Sequence, residues 1–466
     1  MARTVFTLTP ALALLVATSV LPAAPAAIPA STDPAPVSTA DTTTDAAAAT
    51  TLATTLLDHL DAGRFNEAEA MLTPEMLAAV PAAKLQQVWE SLARDAGPAG
   101  PRGNAISTAS GDMITVSIAL PYAKASLVAR ISIDRSSRIA GLLIQPAPVP
   151  APAAAPAAAA MDANAPYTEH EARVGEGERA LPGTLALPKS ASARTPVPAV
   201  VLVHGSGAHD RDETIGPNRP FQDIARGLAA QGIAVLRYDK RTKAWPQDFA
   251  GKDFSVDDEV TEDAVLAVDA LRKVEGIDAK RIYILGHSLG GMLAPRIAHQ
   301  SGRVAGAVLM AAPARPVLDV LLEQIERQAM RDGSISNDER KALDDMKARV
   351  ANVRNPGTVA ATATPLGQPA GYWRSLERID PVADARKLAL PLLLLHGGRD
   401  TQVVDADWKR WQAGLSGQRH ARLRHYPAIN HLGISGEGPG TVEEYAVAGH
   451  VDAQLIDDIA AWIREQ

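Results

Sequence analysis

Ser288 carries the clearest chemical prediction in this sequence, because a glycine lies two residues before it and another lies two residues after it. The stretch RIYILGHSLGG, residues 281–291, joins a short apolar run typical of a buried strand to a segment typical of a helix. A turn this sharp strains its central residue, and Gly286 and Gly290 remove the side chains that would obstruct it. The spacing therefore predicts a nucleophile elbow with the Ser288 hydroxyl at its tip.

A serine hydroxyl is a weak nucleophile at neutral pH, so this prediction requires a histidine base further along the chain. His431 meets the requirement because it lies in the loop after a predicted last strand, residues 421–428, and has Gly433 nearby. His287 is interpreted as a spacer inside the elbow, and His299 lies on the helix behind it. The sequence therefore favours His431 as the general base.

The acid that orients the base is expected between the serine and the histidine. Asp400 lies in the loop after the apolar run LPLLLL, which has the length of a buried parallel strand. Asp405 and Asp407 are the alternatives, although they lie where the next helix should begin, and helix N-termini favour acidic residues in any case. Asp400 is the preferred acid.

Attack on a carbonyl places negative charge on its oxygen, and backbone N–H groups must stabilise that charge. Leu289 supplies one such group at the N-terminus of the helix after the elbow. A second is expected from the HGSG loop, residues 204–207, which follows a strongly apolar predicted strand. The backbone of Ser206 or Gly207 is the predicted partner of Leu289.

Length and composition exclude several functional classes. The 466 residues suggest two or three domains at about 150 residues each. A net charge of −7, without a dense cluster of basic residues, argues against nucleic acid as a partner. The absence of cysteine excludes disulfides, thiol catalysis and cysteine-bound metals, and the predicted serine chemistry requires no metal ion and no organic cofactor.

The first residues have the pattern of a targeting segment. Arg3 precedes an apolar run that ends in small residues, so residues 1–26 are predicted to be a secretory signal peptide cleaved near Ala26. The run is short for a bilayer span and is broken by Pro10, so no stable membrane span is expected after cleavage. The resulting prediction is a periplasmic or secreted protein.

Composition divides the rest of the chain into segments. Residues 27–49 are rich in Ala, Pro, Thr and Asp and are predicted to be a low-complexity tether. Residues 50–145 contain amphipathic helices followed by an antiparallel meander, which predicts a small α+β domain. Residues 146–165 form a Pro/Ala linker. Across residues 166–466 strands and helices alternate, which predicts a mostly parallel sheet with helices on both faces and a site at the carboxyl ends of the strands.

The alternation is interrupted at about residues 313–380, where two amphipathic helices predict a helical cap over the site. Ser336 and Glu339 fit a capping box at the start of the second of these helices. Tyr372 and Trp373 are candidates to line an acyl or alcohol pocket, with packing in the core as the equal alternative.

The motifs HGSGAHDRDET, GHSLGG and LHGGRDTQV together resemble the α/β-hydrolase superfamily, and within it a bacterial esterase-like and serine-aminopeptidase-like branch. The resemblance covers nearly all of residues 166–466. It implies the α/β-hydrolase fold, with the nucleophile, acid and base at Ser288, Asp400 and His431. Members often carry an N-terminal domain that resembles the nuclear-transport-factor-like cone, and residues 50–145 are similar to such a domain.

These observations predict an exported serine hydrolase that cleaves small-molecule carboxylic esters through an acyl-enzyme intermediate. Hydrolysis of peptides or other amides, and hydrolysis of thioesters, are the enzymatic alternatives. A binding protein that keeps the fold without the catalysis is the alternative from another class. The expected partner is the ester itself, and a homodimer is left open.

Overall fold

The computed structural model describes residues 39–110, 113–123, 125–146, 164–331, 333–355 and 364–466. These residues form two compact units that divide near residue 160. The predicted signal peptide, residues 27–38 of the predicted tether and most of the Pro/Ala linker lie outside the described residues. Among the described helices, none combines the length and the apolar character that crossing a membrane requires.

The N-terminal unit packs helices against a four-stranded antiparallel sheet in the order β1-β2-β3-β4. Leucines at helical spacing on the first helix are buried against the sheet; Leu56 and Leu60 share a core with Ile131. This arrangement confirms the predicted α+β fold. The elements are α1 Thr39–Asp61, α2 Phe65–Ala70, α3 Pro74–Ala79, α4 Ala82–Ala96, β1 Ile106–Ser110, β2 Met113–Pro121, β3 Ser126–Ile133 and β4 Ile139–Pro146.

Two details of this unit differ from the sequence predictions. Helix α1 begins at Thr39, so residues 39–49 are helical and do not belong to a low-complexity tether. Alanine is the strongest helix former and fills positions 46–49, which lets the helix extend upstream of its leucine-bearing turns. Strand β1 is an additional strand that pairs with β2, although its ISTAS sequence lacks an apolar alternation.

The second unit is built on an eight-stranded sheet in the order β12-β11-β10-β9-β7-β8-β6-β5. Strands β7 to β12 run parallel, whereas β5 and β6 form an antiparallel edge. Strands β8, β10 and β11 are buried at every residue, as expected for a sheet covered on both faces. The strands are β5 Tyr167–Val174, β6 Leu181–Pro188, β7 Val197–Val203, β8 Ala234–Tyr238, β9 Ile277–His287, β10 Gly306–Met310, β11 Leu392–Gly397 and β12 Ala421–Tyr426.

Helices cover both faces of this sheet and form a separate apolar core on each. The helices Glu262–Leu271 and Leu289–Ser301 contribute to one core, and the helices Pro220–Ala230 and Ala453–Glu465 contribute to the other. The predicted mostly parallel sheet with helices on both faces is therefore confirmed. The helices are α5 Pro220–Ala230, α6 Arg241–Ala244, α7 Glu262–Leu271, α8 Leu289–Ser301, α9 Val317–Ala329, α10 Asn337–Arg354, α11 Ala370–Glu377, α12 Pro381–Lys387, α13 Asp405–Gly414 and α14 Ala453–Glu465.

Helices α9, α10 and α11 are inserted between β10 and β11, where the sequence predicts a cap. The predicted capping box starts α10: the Ser336 hydroxyl accepts from the Glu339 amide, and the Glu339 carboxylate accepts from the Ser336 amide. On α9, the Gln324 side chain donates to the carbonyl of Gln402 at 3.0 Å. The first inserted helix therefore lies against the loop that carries Asp400.

Candidate active site

Ser288 lies at the turn between β9 and α8 with φ 51° and ψ −116°, a backbone conformation that residues with a side chain rarely adopt. Its amide donates to the carbonyl of Met310 at 2.9 Å, which fixes the turn to the neighbouring strand. A Cβ at Gly286 would overlap the Gly290 carbonyl, and a Cβ at Gly290 would overlap the Val203 carbonyl. Close backbone packing therefore requires both glycines, and the structure has the strained elbow that the sequence predicts.

His431 and Asp400 form a buried hydrogen-bonded pair. Nδ1 of His431 donates to Oδ2 of Asp400 at 2.8 Å. Oδ1 of Asp400 accepts from the amides of Gln402 and Val403 at 2.8 and 2.9 Å. Burial opposes ionisation of Asp400, but the charge and hydrogen bond of His431, together with the Val403 amide, outweigh it and lower the pKa of Asp400 below its usual value. Asp400 is therefore an ionised acceptor at neutral pH.

The other ring nitrogen of His431 is available. Among the described residues, Nε2 of His431 has no hydrogen-bond partner. The backbone carbonyl of His431 accepts from Nε2 of His287, the residue before Ser288, at 2.9 Å. The candidate base is thus anchored through its backbone to the elbow, while its free nitrogen remains able to exchange a proton.

The two alternative acids have other surroundings. Asp407 is fully buried, where it accepts from the amides of Ala314 and Arg315 and from the Arg315 guanidinium. Asp405 is exposed in the first turn of α13. Because His431 pairs with Asp400, the structure favours the acid that the sequence places first.

His287 has a larger role than the spacer that the sequence suggests. Its Nδ1 donates to Oε2 of Glu213 at 2.9 Å, while its Nε2 donates to the His431 carbonyl. Both partners accept, so the imidazole holds both protons and is a cation beside the Glu213 carboxylate. Burial disfavours that cation, but the charge and hydrogen bond of Glu213 outweigh it and raise the pKa of His287 above 6.5. The reciprocal interaction lowers the pKa of the buried Glu213 well below 4.5.

Glu213 also fixes the HGSG loop, although no pattern in the sequence marks this residue. Its Oε1 accepts from the Gly205 amide at 2.6 Å, and the Gly205 carbonyl accepts from the Lys240 ammonium at 3.0 Å. A Cβ added to Gly205 would come within 3.2 Å of the Ser288 Cβ, so this loop lies directly beside the elbow. One pair of charged side chains therefore joins the HGSG loop, the elbow and the His431 loop.

The three predicted oxyanion donors keep their amides free. In the part of the chain that the structure describes, the amides of Ser206 and Gly207 have no acceptor, whereas the Gly205 amide is occupied by Glu213. Leu289 is the first residue of α8, and the first amides of a helix have no partner within it. Free amides beside a nucleophile are what an oxyanion requires.

Tyr372 and Trp373 lie in the apolar core of the sheet, exposed by 6% and 3%. The Trp373 indole donates to the Pro365 carbonyl at 2.9 Å, and burial together with the nearby Glu259 carboxylate raises the pKa of the Tyr372 hydroxyl. Aromatic rings packed in the core, such as Trp373 with its indole N–H satisfied, are typical of structural residues. The structure therefore favours the core alternative over the predicted acyl or alcohol pocket.

Comparisons with known proteins agree with this architecture. A family model described as Serine aminopeptidase, S33 matches residues 194–436, more than half of the chain. Esterase EstD of Thermotoga maritima is 35% identical over 412 residues, which are 88% of this chain and 94% of that protein. The chain belongs to the S33 family of α/β-hydrolases. A second family model, Protein of unknown function (DUF3887), matches residues 53–142 of this S33 hydrolase and agrees with a nuclear-transport-factor-like N-terminal domain.

Two solved structures are also similar to the S33 hydrolase. Est1E from Butyrivibrio proteoclasticus, solved with bound ferulic acid, is 16% identical with a TM-score of 0.41, and the match covers 63% of this chain and 98% of that one. A puromycin-hydrolyzing peptidase of Mycobacterium tuberculosis is 18% identical with a TM-score of 0.43, and the match covers 78% of this chain and 48% of that one. Similarity at this level adds no argument about the substrate.

Proposed function

We propose that this S33 hydrolase cleaves carboxylic esters of small molecules, with Ser288 as the nucleophile, His431 as the general base and Asp400 as the acid that orients the base. The hydrogen bond between His431 and Asp400 carries the proposal, because it fixes the tautomer of a buried histidine and leaves Nε2 free. The 35% identity to Esterase EstD supports an ester as the substrate.

In the acylation step, Nε2 of His431 takes the hydroxyl proton of Ser288 as its Oγ attacks the substrate carbonyl carbon. The imidazolium that forms is stabilised by Asp400, whose lowered pKa keeps it ionised. Collapse of the tetrahedral intermediate releases the alcohol, which takes the proton back from His431. The acyl group remains on Ser288. In the deacylation step, His431 takes a proton from water as the water oxygen attacks the acyl carbonyl carbon. Collapse of this second intermediate releases the carboxylic acid product and restores the Ser288 hydroxyl.

The negative oxygen of each tetrahedral intermediate is stabilised by backbone amides. Leu289 donates one hydrogen bond from the start of α8, and Ser206 or Gly207 donates the other from the HGSG loop. The hydrogen bonds of Gly205 with Glu213 and Lys240 hold this loop in place before substrate binds, so little reorganisation is needed during the reaction.

The test is hydrolysis of p-nitrophenyl esters from acetyl to long-chain acyl by the full-length protein. Ser288→Ala should lower kcat by about 10⁴-fold or more, because the nucleophile is lost. Ser416→Ala is the matched control, since Ser416 is exposed on another loop and should leave kcat unchanged. Ester turnover that survives in Ser288→Ala contradicts the proposed nucleophile. The chain-length profile of the wild type measures the size of the acyl pocket.

Peptide or amide hydrolysis is the second candidate, and the description of the matching family model as a serine aminopeptidase favours it. Aminoacyl p-nitroanilides assayed beside matched esters decide between the two. A higher kcat/KM for the esters supports the first candidate, and a higher value for the anilides replaces it with the second. Acyl thioesters added to the series test thioesterase activity, and inactivity on every substrate supports a binding role.

We also propose that the protein is exported, which the charged, apolar and small-residue order of residues 1–26 supports. Expression of the full sequence in a Gram-negative host should give a periplasmic protein whose first residue follows Ala26. Intact mass measures the cleavage point directly. A protein that keeps Met1 and stays in the cytoplasm contradicts this part of the proposal.

A further inference from the structure

Three metal-ligating side chains meet beside the loop that carries Asp400. They are His396 at the end of β11, His425 on the edge strand β12 and Asp405 at the start of α13, called here the His396 cluster. Parallel pairing places the Cα of His396 opposite that of His425. One candidate ligand atom from each residue lies within 4.8 Å of those of the other two. Three separate elements therefore bring two imidazoles and one carboxylate together.

His396 points to a ligand independently of this spacing. It is only 5% exposed, yet its ring has no hydrogen-bond partner among the described residues. Its ring nitrogens are not among the buried polar atoms without a partner, so they keep contact with solvent although the rest of the ring is buried, and an ion can reach them. The ring stacks on Trp408, with centroids 5.3 Å apart and planes 10° apart, so its orientation is fixed. An oriented and unpartnered imidazole is what a metal ligand requires.

We propose that the His396 cluster binds one divalent transition-metal ion of the zinc type. Two imidazoles and one carboxylate suit such an ion and leave its fourth position for water. Ligand atoms about 2.1 Å from zinc lie roughly 3.4 Å apart in a tetrahedron, so the distances between the three ligand atoms must shorten by at most about 1.4 Å. The exposed Asp405 and His425 side chains can rotate inward, since the ion pair of Asp405 with Lys409 is exposed and 3.8 Å long.

The position of the cluster gives the ion a structural consequence. Residues 397–404 join His396 to Asp405 and include Asp400, so both ends of the acid loop are ligands. A bound ion would link β11, β12 and α13 around that loop. It would stabilise the folded state relative to the unfolded state, because only the folded chain brings the three ligands together. The predicted binding does not depend on the proposed ester hydrolysis, because its test measures the ion itself.

The experiment is titration of untagged full-length protein with ZnCl₂, by calorimetry and by competition with a chromophoric chelator. The wild type should bind one equivalent of Zn²⁺, and thermal unfolding should move to a higher Tm when Zn²⁺ is present. Asp405→Asn and His425→Ala change exposed residues that should not disturb folding, and each should weaken binding by at least about tenfold. His299→Ala, an exposed histidine on α8, is the matched control and should bind as the wild type does.

The results distinguish binding at the His396 cluster from binding elsewhere and from no binding. Binding that is lost in Asp405→Asn and His425→Ala but kept in His299→Ala supports the site. Binding that is equal in all four proteins places the ion elsewhere and overturns the proposal. No binding at millimolar Zn²⁺ overturns it as well. Circular dichroism of each variant without metal verifies that a weaker affinity does not come from unfolding.

Discussion

Two histidine–carboxylate pairs lie next to each other in the second unit, with the rings of His431 and His287 4.7 Å apart. Each histidine uses Nδ1 to contact a buried carboxylate, at 2.8 Å to Asp400 and at 2.9 Å to Glu213. The pairs differ at Nε2. Within the described part of the chain that nitrogen has no partner in His431, whereas in His287 it donates to the His431 carbonyl.

This difference separates the candidate general base, His431, from a histidine with a structural role, His287. A free Nε2 can take up and release a proton, as a general base must. An Nε2 that donates to a carbonyl must keep its proton, and with a carboxylate at Nδ1 the ring stays a cation. The same two residue types therefore suit the proposed catalysis in one pair and hold three loops together in the other.

His431→Ala is expected to have the largest effect on activity. Loss of the base should lower kcat for a p-nitrophenyl ester by at least about 10⁴-fold. The free energy of unfolding should change far less, because Asp400 keeps its hydrogen bonds from the Gln402 and Val403 amides. Steady-state kinetics and urea denaturation measure the two effects. Wild-type kcat in His431→Ala would contradict the proposed role of His431 as the general base.

His287→Ala should instead have its main effect on the free energy of unfolding. It leaves the Glu213 carboxylate buried without its counter-charge, which should lower the free energy of unfolding by about 3–5 kcal/mol. Urea denaturation followed by tryptophan fluorescence measures the loss. Glu213→Gln combined with His287→Ala removes both charges and should recover part of the stability. If His287→Ala is as stable as the wild type, the buried ion pair does not hold these loops together.

Glu213→Gln should have the smallest effect and should change how stability depends on pH. The pKa of His287 is raised above 6.5 by Glu213, so its contribution is complete below 6.5 and is lost as pH rises through the folded-state pKa. The lowered pKa of Glu213 keeps its own contribution complete above 4.5. The wild type should therefore exceed the variant in stability most clearly between these values.

The measurement is urea denaturation of the wild type and Glu213→Gln at about pH 6 and about pH 9. The stability difference should shrink at the higher pH. His450→Ala serves as a control, since His450 is exposed while it pairs with Asp223. A difference that stays constant with pH contradicts a protonated His287.

The candidate catalytic residues can be located from the sequence because they follow local patterns. Ser288 lies in a turn whose glycines are two residues away on each side, and Asp400 follows the buried strand β11. Each of these positions depends on neighbours within a few residues. The alternation of strands and helices places their loops at the same edge of the sheet, and the structure agrees.

The supporting residues cannot be predicted in this way. Glu213 is 74 residues from His287, and nothing in the DRDET stretch indicates that this acid is buried between Gly205 and His287. Likewise, no short sequence pattern shows whether Tyr372 lies in the core or lines a pocket, because its position depends on how α11 packs against the rest of the fold. The His396 cluster joins residues from three elements that only the folded sheet brings together.

Labelling by a fluorophosphonate probe tests the central claim most directly, because the probe reacts with a serine that a neighbouring base activates. Full-length wild type, Ser288→Ala and the exposed control Ser416→Ala are treated alike, and peptide mass spectrometry locates the adduct. One adduct is expected on the peptide that contains Ser288 in the wild type and the control, and none in Ser288→Ala. An adduct on another serine, or a wild type that stays unlabelled, would contradict the central claim.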